Sequence, residues 1–592
     1  MLFKDAAEFY SKLEGISSRL EMIDVLTDLF KKAERGEIKQ LIYFTQGMLA
    51  PPFEGVEIGV AEKMTEEAIA AATGFTKENA VMSFRKTGDL GLTAEELVAK
   101  TRLRRMLSNK FTISEVFETM LKIATRSGVG SQEGKIKHLS ELLAASSPTE
   151  ARYITRFAMG QLRLGVGDAT ILEALAKAFT GSREAKERLE EAYNICSDLG
   201  RVGEVLMRDG IKGVEHIKVT LFSPVRPALA ERLPTAKEIL EKMGGTAAVE
   251  SKYDGLRTQV HVDKTAKRVE IFSRRLEKLT PMFPELVKAA LEEVHAKKAI
   301  FEGEAILFDE VSEQFRPFQE TIQRKRKHGV EAMSTEMPLH IFAFDLLYLD
   351  GEDYLDVPYK ERRKKLEEII KGSGTLRLSG KIVTNSPKEF EKYFEQEISD
   401  GLEGVIAKDL NAKYIAGARK FSWIKMKRSY KGELSDTLDL VIIGFYRGRG
   451  QRTEFGFGGL LAAVYNDKKD VFESVTRIGT GFSEEMMKQF RDILSKIKKD
   501  KKPARVVSVM EPDFWVEPKY VVTVRADEIT KSPMHMAGAE TQDDGSSIGY
   551  ALRFPRIVSG GIREDKSSEE STTTKELIEM FTQQRKSKLA EN

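Results

Sequence analysis

The stretch that decides the fold is E-S-K-Y-D-G-L-R, residues 250–257. A strand-like run precedes it, and the period-two alternation of a strand puts Glu250 and Lys252 on one face. The Asp254-Gly255 pair is typical of a tight turn, and the T-Q-V-H-V run after it predicts a second strand. The sequence therefore predicts a lysine at the mouth of a turn between two strands.

A lysine becomes a nucleophile only when its ammonium group can lose a proton near neutral pH. Burial and neighbouring cations both favour that loss. Arg257 follows Lys252 closely and is one such cation, and its planar guanidinium also suits a phosphate. The alternative is a surface lysine before a turn, because so short a motif has many false positives. The clusters described next favour the nucleophile.

The composition limits which class of protein this chain can be. A chain of 592 residues predicts several domains, because a single core rarely extends beyond roughly 250 residues. Hydrophobic content of 41% with 31% charge is typical of a soluble globular protein, and no apolar run approaches the ~18 residues of a membrane span. Cys196 is the only cysteine, which excludes an intramolecular disulfide and a thiolate metal cluster. The N-terminus has no signal-peptide core, so we expect a cytoplasmic, nucleoid-associated protein.

Residues 1–217 predict a helical domain, because apolar residues recur there at three-to-four spacing. Glycine turns separate the helices, among them R-L-G-V-G at 163–167 and G-V-G-S at 128–131. Glycine turns at helix N-termini can present backbone N–H groups to phosphates, although ordinary turns are the alternative. The net charge of only +2 does not reveal a nucleic-acid partner, so local basic patches such as Q-R-K-R-K-H at 323–328 would have to supply the contact.

Strands and helices intermix over residues 218–430, and two strands there carry charges. The apolar run A-I-F-E-G-E-A-I-L-F puts Glu302 and Glu304 on one face of a strand. Carboxylates in a buried strand are costly unless they meet a metal or a cation. A later run, F-S-W-I-K-M-K, puts Lys425 and Lys427 side by side, where they repel unless an anion lies between them. The pattern favours a site for a metal and a phosphate.

The last part of the chain, residues 431–592, alternates short strands with glycine turns and ends in a predicted helix at 575–588. Several short strands at this spacing indicate a small β-barrel of the oligonucleotide-binding type. Pro224 and Pro227 predict an extended linker between the helical domain and the part that carries Lys252.

These motifs together resemble the ATP-dependent DNA ligases. K-Y-D-G-L-R resembles their adenylation motif, which RNA ligases and messenger-RNA capping enzymes share, and the other clusters follow in the family's order over nearly the whole chain. The similarity is greatest to the three-domain ligases of archaea and eukaryotes. It implies an all-α DNA-binding domain at 1–217, an α+β nucleotidyltransferase domain at 218–430, and an OB-fold barrel with a C-terminal helix at 431–592.

The resemblance implies that Lys252 attacks the α-phosphate of ATP, that AMP passes to the 5′-phosphate at a nick in duplex DNA, and that the 3′-hydroxyl then displaces it. Such sealing serves replication, repair and recombination. It implies a divalent metal, Mg²⁺ with Mn²⁺ as a substitute, at Glu304 and Glu403. Phe344 would stack on adenine, and Glu250 would accept a hydrogen bond from the adenine amine. The residues expected to bind the nucleotide are Glu250, Arg257, Arg274, Glu304, Phe344, Arg419, Lys425, Lys427 and Arg556.

Arg556 lies in R-F-P-R, which resembles the family's last motif and would orient the leaving pyrophosphate. The residues after it, I-V-S-G-G, depart from the shorter and more aromatic link of relatives. We expect a hinge near 434–436, so that the barrel can approach Lys252 and later leave it. We expect a monomer that binds nicked duplex DNA and no membrane. The stretch matching the family's sliding-clamp motif, residues 103–107, lacks its glutamine and its aromatic residues.

Two alternatives remain open from the sequence. An RNA ligase or a capping enzyme would use the same lysine chemistry, and the helical domain argues against both by resemblance. A duplex-binding scaffold without activity is the other alternative. The coexistence of Lys252, Glu304, Glu403, Lys425 and Arg556 argues against that scaffold.

Overall fold

The structure is a computed structural model. It describes the chain except residues 102–109, 183, 310–313, 317–320, 322–323, 326–329, 373, 401, 428–436, 449–455, 542–546 and 591–592. The stretch compared with the clamp motif, the predicted hinge and most of the basic run at 323–328 therefore lie outside the described residues.

The N-terminal part is helical because each segment carries an apolar stripe at helical spacing that packs into one shared core. Local signals fix the helix starts. Ser147, for example, accepts a hydrogen bond from the backbone of Glu150, whose side chain bonds back to Ser147. The helices are α1 Phe3–Gly15, α2 Arg19–Lys31, α3 Ile38–Gln46, α4 Glu62–Thr73, α5 Lys77–Thr87, α6 Leu90–Lys100, α7 Ile113–Thr125, α8 Ser131–Ala144, α9 Pro148–Ala158, α10 Asp168–Thr180, α11 Lys186–Cys196 and α12 Leu199–Glu215.

The middle part contains two sheets that face each other across a cleft. One has the order β1-β12-β11-β2-β10 and the other β4-β3-β5-β7-β8, with β6 paired to β5 and β9 to β7. The strands are β1 Leu229–Arg232, β2 Ala247–Lys252, β3 Leu256–Asp263, β4 Arg268–Ser273, β5 Lys298–Asp309, β6 Gln314–Phe315, β7 Leu339–Leu349, β8 Glu352–Asp353, β9 Leu376–Leu378, β10 Lys381–Thr384, β11 Gly404–Lys408 and β12 Arg419–Lys427. The helices are α13 Ala236–Lys242, α14 Pro284–Glu293, α15 Val330–Glu336, α16 Tyr359–Ile369 and α17 Pro387–Ser399.

The C-terminal part is β-rich, with a sheet of order β16-β18-β13-β14-β15-β17, joined by β19 and β23, and a three-stranded sheet β20-β22-β21. We call it the barrel region. Its strands are β13 Leu438–Tyr446, β14 Gly459–Asn466, β15 Val471–Ile478, β16 Lys498–Lys499, β17 Val506–Val507, β18 Phe514–Val516, β19 Val521–Arg525, β20 Glu528–Ser532, β21 Ala537–Thr541, β22 Ser547–Arg553 and β23 Arg556–Ile562. Its helices are α18 Glu484–Ser495 and α19 Thr574–Ala590.

The predicted fold class is confirmed: a helical part, a mixed part and a β-rich part follow one another. The exact domain boundaries stay predictions. The helical part ends with α12 at Glu215 and the first strand begins at Leu229, whereas the predicted boundary at 430/431 lies outside the described residues. Within the described chain, none of the helices combines the length and the apolar character needed to cross a membrane.

Candidate active site

One cavity of about 830 Å³ opens where the two middle sheets meet the barrel region. Lys252 ends β2 and lies at this opening, and the turn after it packs tightly on β5. A Cβ atom on Gly255 would lie 2.7 Å from the carbonyl oxygen of Ala305, which explains the glycine. Ten of the eleven predicted site residues line the cavity. They are Glu250, Lys252, Arg257, Arg274, Glu304, Phe344, Glu403, Arg419, Lys425 and Lys427.

The ammonium of Lys252 forms an ion pair with Glu403, which also pairs with Lys427. Burial favours the neutral form of Glu403, but the two lysines outweigh it and hold the pKa of this carboxyl well below its usual range. The register of the sheet brings these groups together, because Gly404 pairs with Lys252 on one side and with Lys427 on the other. The predicted nucleophile therefore lies beside an ionised carboxylate and a second cation.

Glu304 faces the same space from β5, opposite Arg257 on β3. Burial raises the pKa of Glu304 to about 7, with Lys252 and Arg257 opposing the shift. In the part of the chain that the structure describes, no cluster of three His, Cys, Asp or Glu side chains could hold a metal by itself. Two carboxylates still fit Mg²⁺, which usually binds one or two carboxylates and completes its shell with substrate phosphates and water.

Arg257 lines the cavity, but its guanidinium already has protein partners. It donates to Glu302 at 2.8 Å and to the carbonyl oxygen of Ala228 at 2.7 Å. Its guanidinium carbon lies 5.5 Å from the ring centre of Phe344 and 5.3 Å from that of Trp423. The side chain thus supports the aromatic end of the cavity, whereas the sequence alone suggested a phosphate ligand.

Glu250 is only 2% exposed and is surrounded by donors. Arg363 donates to it at 2.9 Å, Lys408 lies 2.7 Å from its other oxygen, and the Tyr359 hydroxyl also donates to it. The sequence reasoning missed these three partners. Lys408 is the last residue of the run E-G-V-I-A-K at 403–408, whereas Tyr359 and Arg363 lie on α16. No pattern in the sequence indicates that this run and α16 contact the same carboxylate.

Three of the phosphate-binding candidates meet carboxylates of the barrel region. Arg274 donates to Glu570 at 2.8 Å. Arg419 and Lys425 both pair with Glu576, at 2.5 and 2.9 Å. Burial opposes the charge of Glu576, but Lys425 and Arg419 hold its pKa well below the usual range. Two carboxylates therefore lie on the cations that were expected to bind phosphates.

Arg556 does not line this cavity. It bonds to Asp527 at 2.6 Å, and its side chain is 55% exposed. The barrel region instead contributes Arg563 and Lys566 to the cavity, where both approach Asp439. No role was predicted for the R-E-D-K run at 563–566, whose two cations directly after a strand were the available signal.

Three family models match the chain: "DNA ligase N terminus" over residues 2–176, "ATP dependent DNA ligase domain" over 227–427, and "ATP dependent DNA ligase C terminal region" over 453–566. The "Probable DNA ligase" of Dictyoglomus turgidum is 45% identical and covers 100% of this chain and 99% of its own length. The "DNA ligase" of Staphylothermus marinus is 43% identical, with 100% of both chains covered. That of Saccharolobus solfataricus is 42% identical over 100% of this chain and 98% of its own.

Proposed function

Since this chain belongs to the ATP-dependent DNA ligases, we propose that Lys252 is the residue that forms the covalent bond to AMP. The chain is an enzyme that uses ATP to seal nicks in DNA. One observation carries the proposal for Lys252: its side chain lines one cavity together with an acceptor and aromatic rings, Glu250, Phe344 and Trp423, and with the cations Arg274, Arg419, Lys425 and Lys427. These groups suit the base and the phosphates of ATP.

The proposed first step forms a P–N bond between Nζ of Lys252 and the α-phosphorus and breaks the P–O bond to pyrophosphate. Lys252 must release one proton to solvent before it attacks, because only the neutral amine is a nucleophile. Glu304 and Glu403 would hold a divalent cation, Mg²⁺ or in its place Mn²⁺, which would neutralise charge on the phosphate oxygens. Phosphoryl transfer depends mainly on positioning and electrostatics, so no general base of unusual pKa is required.

We propose that different residues of the cavity bind the base and the phosphates of ATP. Phe344 and Trp423, whose ring centres lie 5.9 Å apart, would hold the adenine, with Glu250 accepting from its amine. Arg274, Arg419, Lys425 and Lys427 would bind phosphates. Arg257 would support the aromatic end through its bond to Glu302.

We propose that Arg563 and Lys566, and not Arg556, are the cations that the barrel region brings to ATP. Both line the cavity with Lys252, whereas the exposed Arg556 faces solvent. Arg563→Ala should then slow formation of the Lys252 adduct. Arg556→Ala should leave the adduct unchanged and slow the sealing of a nick that already carries AMP.

Nicked DNA must reach the AMP in this cavity, and we propose that the helical part grips the duplex. One of its glycine turns is covered here: Arg163 donates to the carbonyl oxygen of Lys496 at 2.5 Å, and Arg505 packs on Gly167. The barrel region would therefore leave this turn when DNA binds. We propose that the chain works as a monomer.

Two assays test the function. Incubation with radiolabelled ATP and Mg²⁺ followed by denaturation should leave the label on the protein, and a nicked DNA duplex should be sealed with ATP. Substrates with RNA strands on either side of the nick separate a DNA ligase from an RNA ligase. A protein that takes up no label under these conditions would contradict the proposal.

A further inference from the structure

Each of the three partners of Glu250 named above is a hydrogen-bond donor. Tyr359 and Arg363 bond to one carboxylate oxygen, and Lys408 bonds to the other. Burial and the charge of Glu250 raise the pKa of Tyr359 well above its usual value, so its hydroxyl keeps the proton that it donates. A carboxylate among such groups acts only as an acceptor.

The donors are themselves fixed. Arg363 also donates to the carbonyl oxygen of Ser379 at 2.7 Å and to Glu367 at 2.9 Å. Lys408 donates to the carbonyl oxygen of Phe344 at 3.0 Å, and its ammonium lies 4.2 Å from the ring centre of Trp423. Rotation of the Glu250 carboxylate would break bonds on several sides, so its orientation is set before any ligand arrives.

The number of acceptor positions on the Glu250 carboxylate limits which groups of a ligand can bind to it. A carboxylate has about four lone-pair positions, and the three donors use three of them. Glu250 lines the cavity, while Tyr359 and Arg363 lie behind it and do not line it. The remaining position is therefore open to the cavity, where an N–H or O–H group of a ligand can fill it.

We propose that Tyr359, Arg363 and Lys408 determine which purine this enzyme accepts, because they keep Glu250 as a fixed acceptor for a 6-amino group. A 6-oxo purine such as hypoxanthine would place a carbonyl oxygen against the carboxylate, and both groups would remain unpaired. Sites built for one hydrogen bond reject analogues that lack it by large factors. The inference rests on the proposed contact between Glu250 and the base, and it assigns the three donors a positioning role.

Three nucleotides that differ only at position 6 test the proposal: ATP, inosine triphosphate, and purine riboside triphosphate, which has no substituent there. We expect the wild-type protein to form the Lys252 adduct fastest with ATP, more slowly with purine riboside triphosphate and slowest with inosine triphosphate. The ratio of kcat/KM for ATP to that for inosine triphosphate should be on the order of a thousandfold or more.

Tyr359→Phe removes one oxygen atom and Arg363→Met removes one cation. Each should lower that ratio by about tenfold or more, because Glu250 gains free acceptor positions and freedom to turn. Arg363→Lys should restore part of the ratio. Arg362→Met is the matched control: Arg362 is the preceding residue on α16, is equally buried and pairs with Asp345 instead. It should slow all three nucleotides alike.

Calorimetric binding of AMP and IMP gives a second reading that does not depend on turnover, and the same change in preference should appear there. The inference is overturned if Tyr359→Phe and Arg363→Met leave the ratio as in the wild type, or if Arg362→Met lowers it equally. A wild-type protein that forms adducts equally with ATP and inosine triphosphate would contradict the proposed contact of Glu250 itself, which is a separate failure.

Discussion

The two ends of the active-site cavity are built in different ways. At the base end, the partners of Glu250 all come from the middle part of the chain: Tyr359, Arg363 and Lys408. At the phosphate end, Arg274, Arg419 and Lys425 have partners in the barrel region, whereas Lys427 pairs with Glu403 of the middle part. Glu570, the partner of Arg274, lies 296 residues further along the chain, and Glu576, the partner of Lys425, lies 151 residues further along.

Under the proposed roles of these residues, this difference makes base recognition permanent and phosphate recognition conditional on the position of the barrel region. The base end keeps its hydrogen bonds however the barrel region moves. The phosphate end is charge-balanced by Glu570 and Glu576, so a triphosphate must take the place of carboxylates that already lie on its cations. Buried cations without any partner are strongly unfavourable, which explains why carboxylates lie on these cations.

The largest expected effect comes from Lys252, the proposed nucleophile. Lys252→Ala should reduce formation of the AMP adduct by a factor on the order of a thousand or more, because the proposed P–N bond forms at its Nζ. Labelling with radioactive ATP followed by denaturation measures it. Two controls apply: the variant should still bind AMP, and it should still seal a nick that already carries AMP. An adduct of normal yield would show that another residue is the nucleophile.

The next prediction tests whether the phosphate end can be changed without changing base recognition. Glu576→Gln should raise the affinity for ATP by about tenfold, or ~1.4 kcal/mol, because the anion that competes for Arg419 and Lys425 is removed. The amide oxygen can still accept from the backbone of Thr573 and keep the helix start intact. Titration of ATP without metal measures the affinity. The preference for AMP over IMP should not change, and a change in it would contradict the separation of the two ends.

Glu570→Gln should act in the same direction but less, by about threefold, because among the described residues one cation, Arg274, pairs with Glu570, whereas Glu576 pairs with both Arg419 and Lys425. The same titration measures it, and the double variant with Glu576→Gln should show nearly additive effects if the cations bind separate phosphates. An effect of Glu570→Gln as large as that of Glu576→Gln would show that Arg274 binds more of the triphosphate than its single partner indicates.

The smallest effect is a pH dependence at the phosphate end. Burial lowers the pKa of Lys425 to about 8, with Glu576 opposing the shift. A lysine that opening exposes to water would keep its ordinary, higher pKa, so closing releases a proton from Lys425 at a pH between the two values. The contact between the barrel region and the cavity should therefore strengthen about twofold as the pH rises from about 7 to 9. Energy transfer between dyes on the two parts measures it.

Lys425→Arg is the control for this dependence, because a guanidinium stays charged throughout the range. The contact in the variant should not change between about pH 7 and 9. If wild type and variant respond equally to the rise in pH, the titrating group is not Lys425.

The sequence by itself determined the three-part fold and most of the site. Residues 250–257 combine a strand, a turn and a lysine within a few positions, and local pattern is sufficient for that. Lys425 and Lys427, or Glu302 and Glu304, share a face because a strand has a period of two. Such features depend on neighbours in the chain, so the sequence contains them directly.

Only the tertiary structure decided which groups meet. In the folded chain Arg257 bonds to Glu302, and three donors surround Glu250. Arg563 lines the cavity, whereas Arg556 lies outside it. These pairs are separated by tens to hundreds of residues, and their contacts depend on how sheets and parts pack, which no local period encodes. Desolvation in the packed interior then sets the charge of each group, as it does for Glu304 and Lys425.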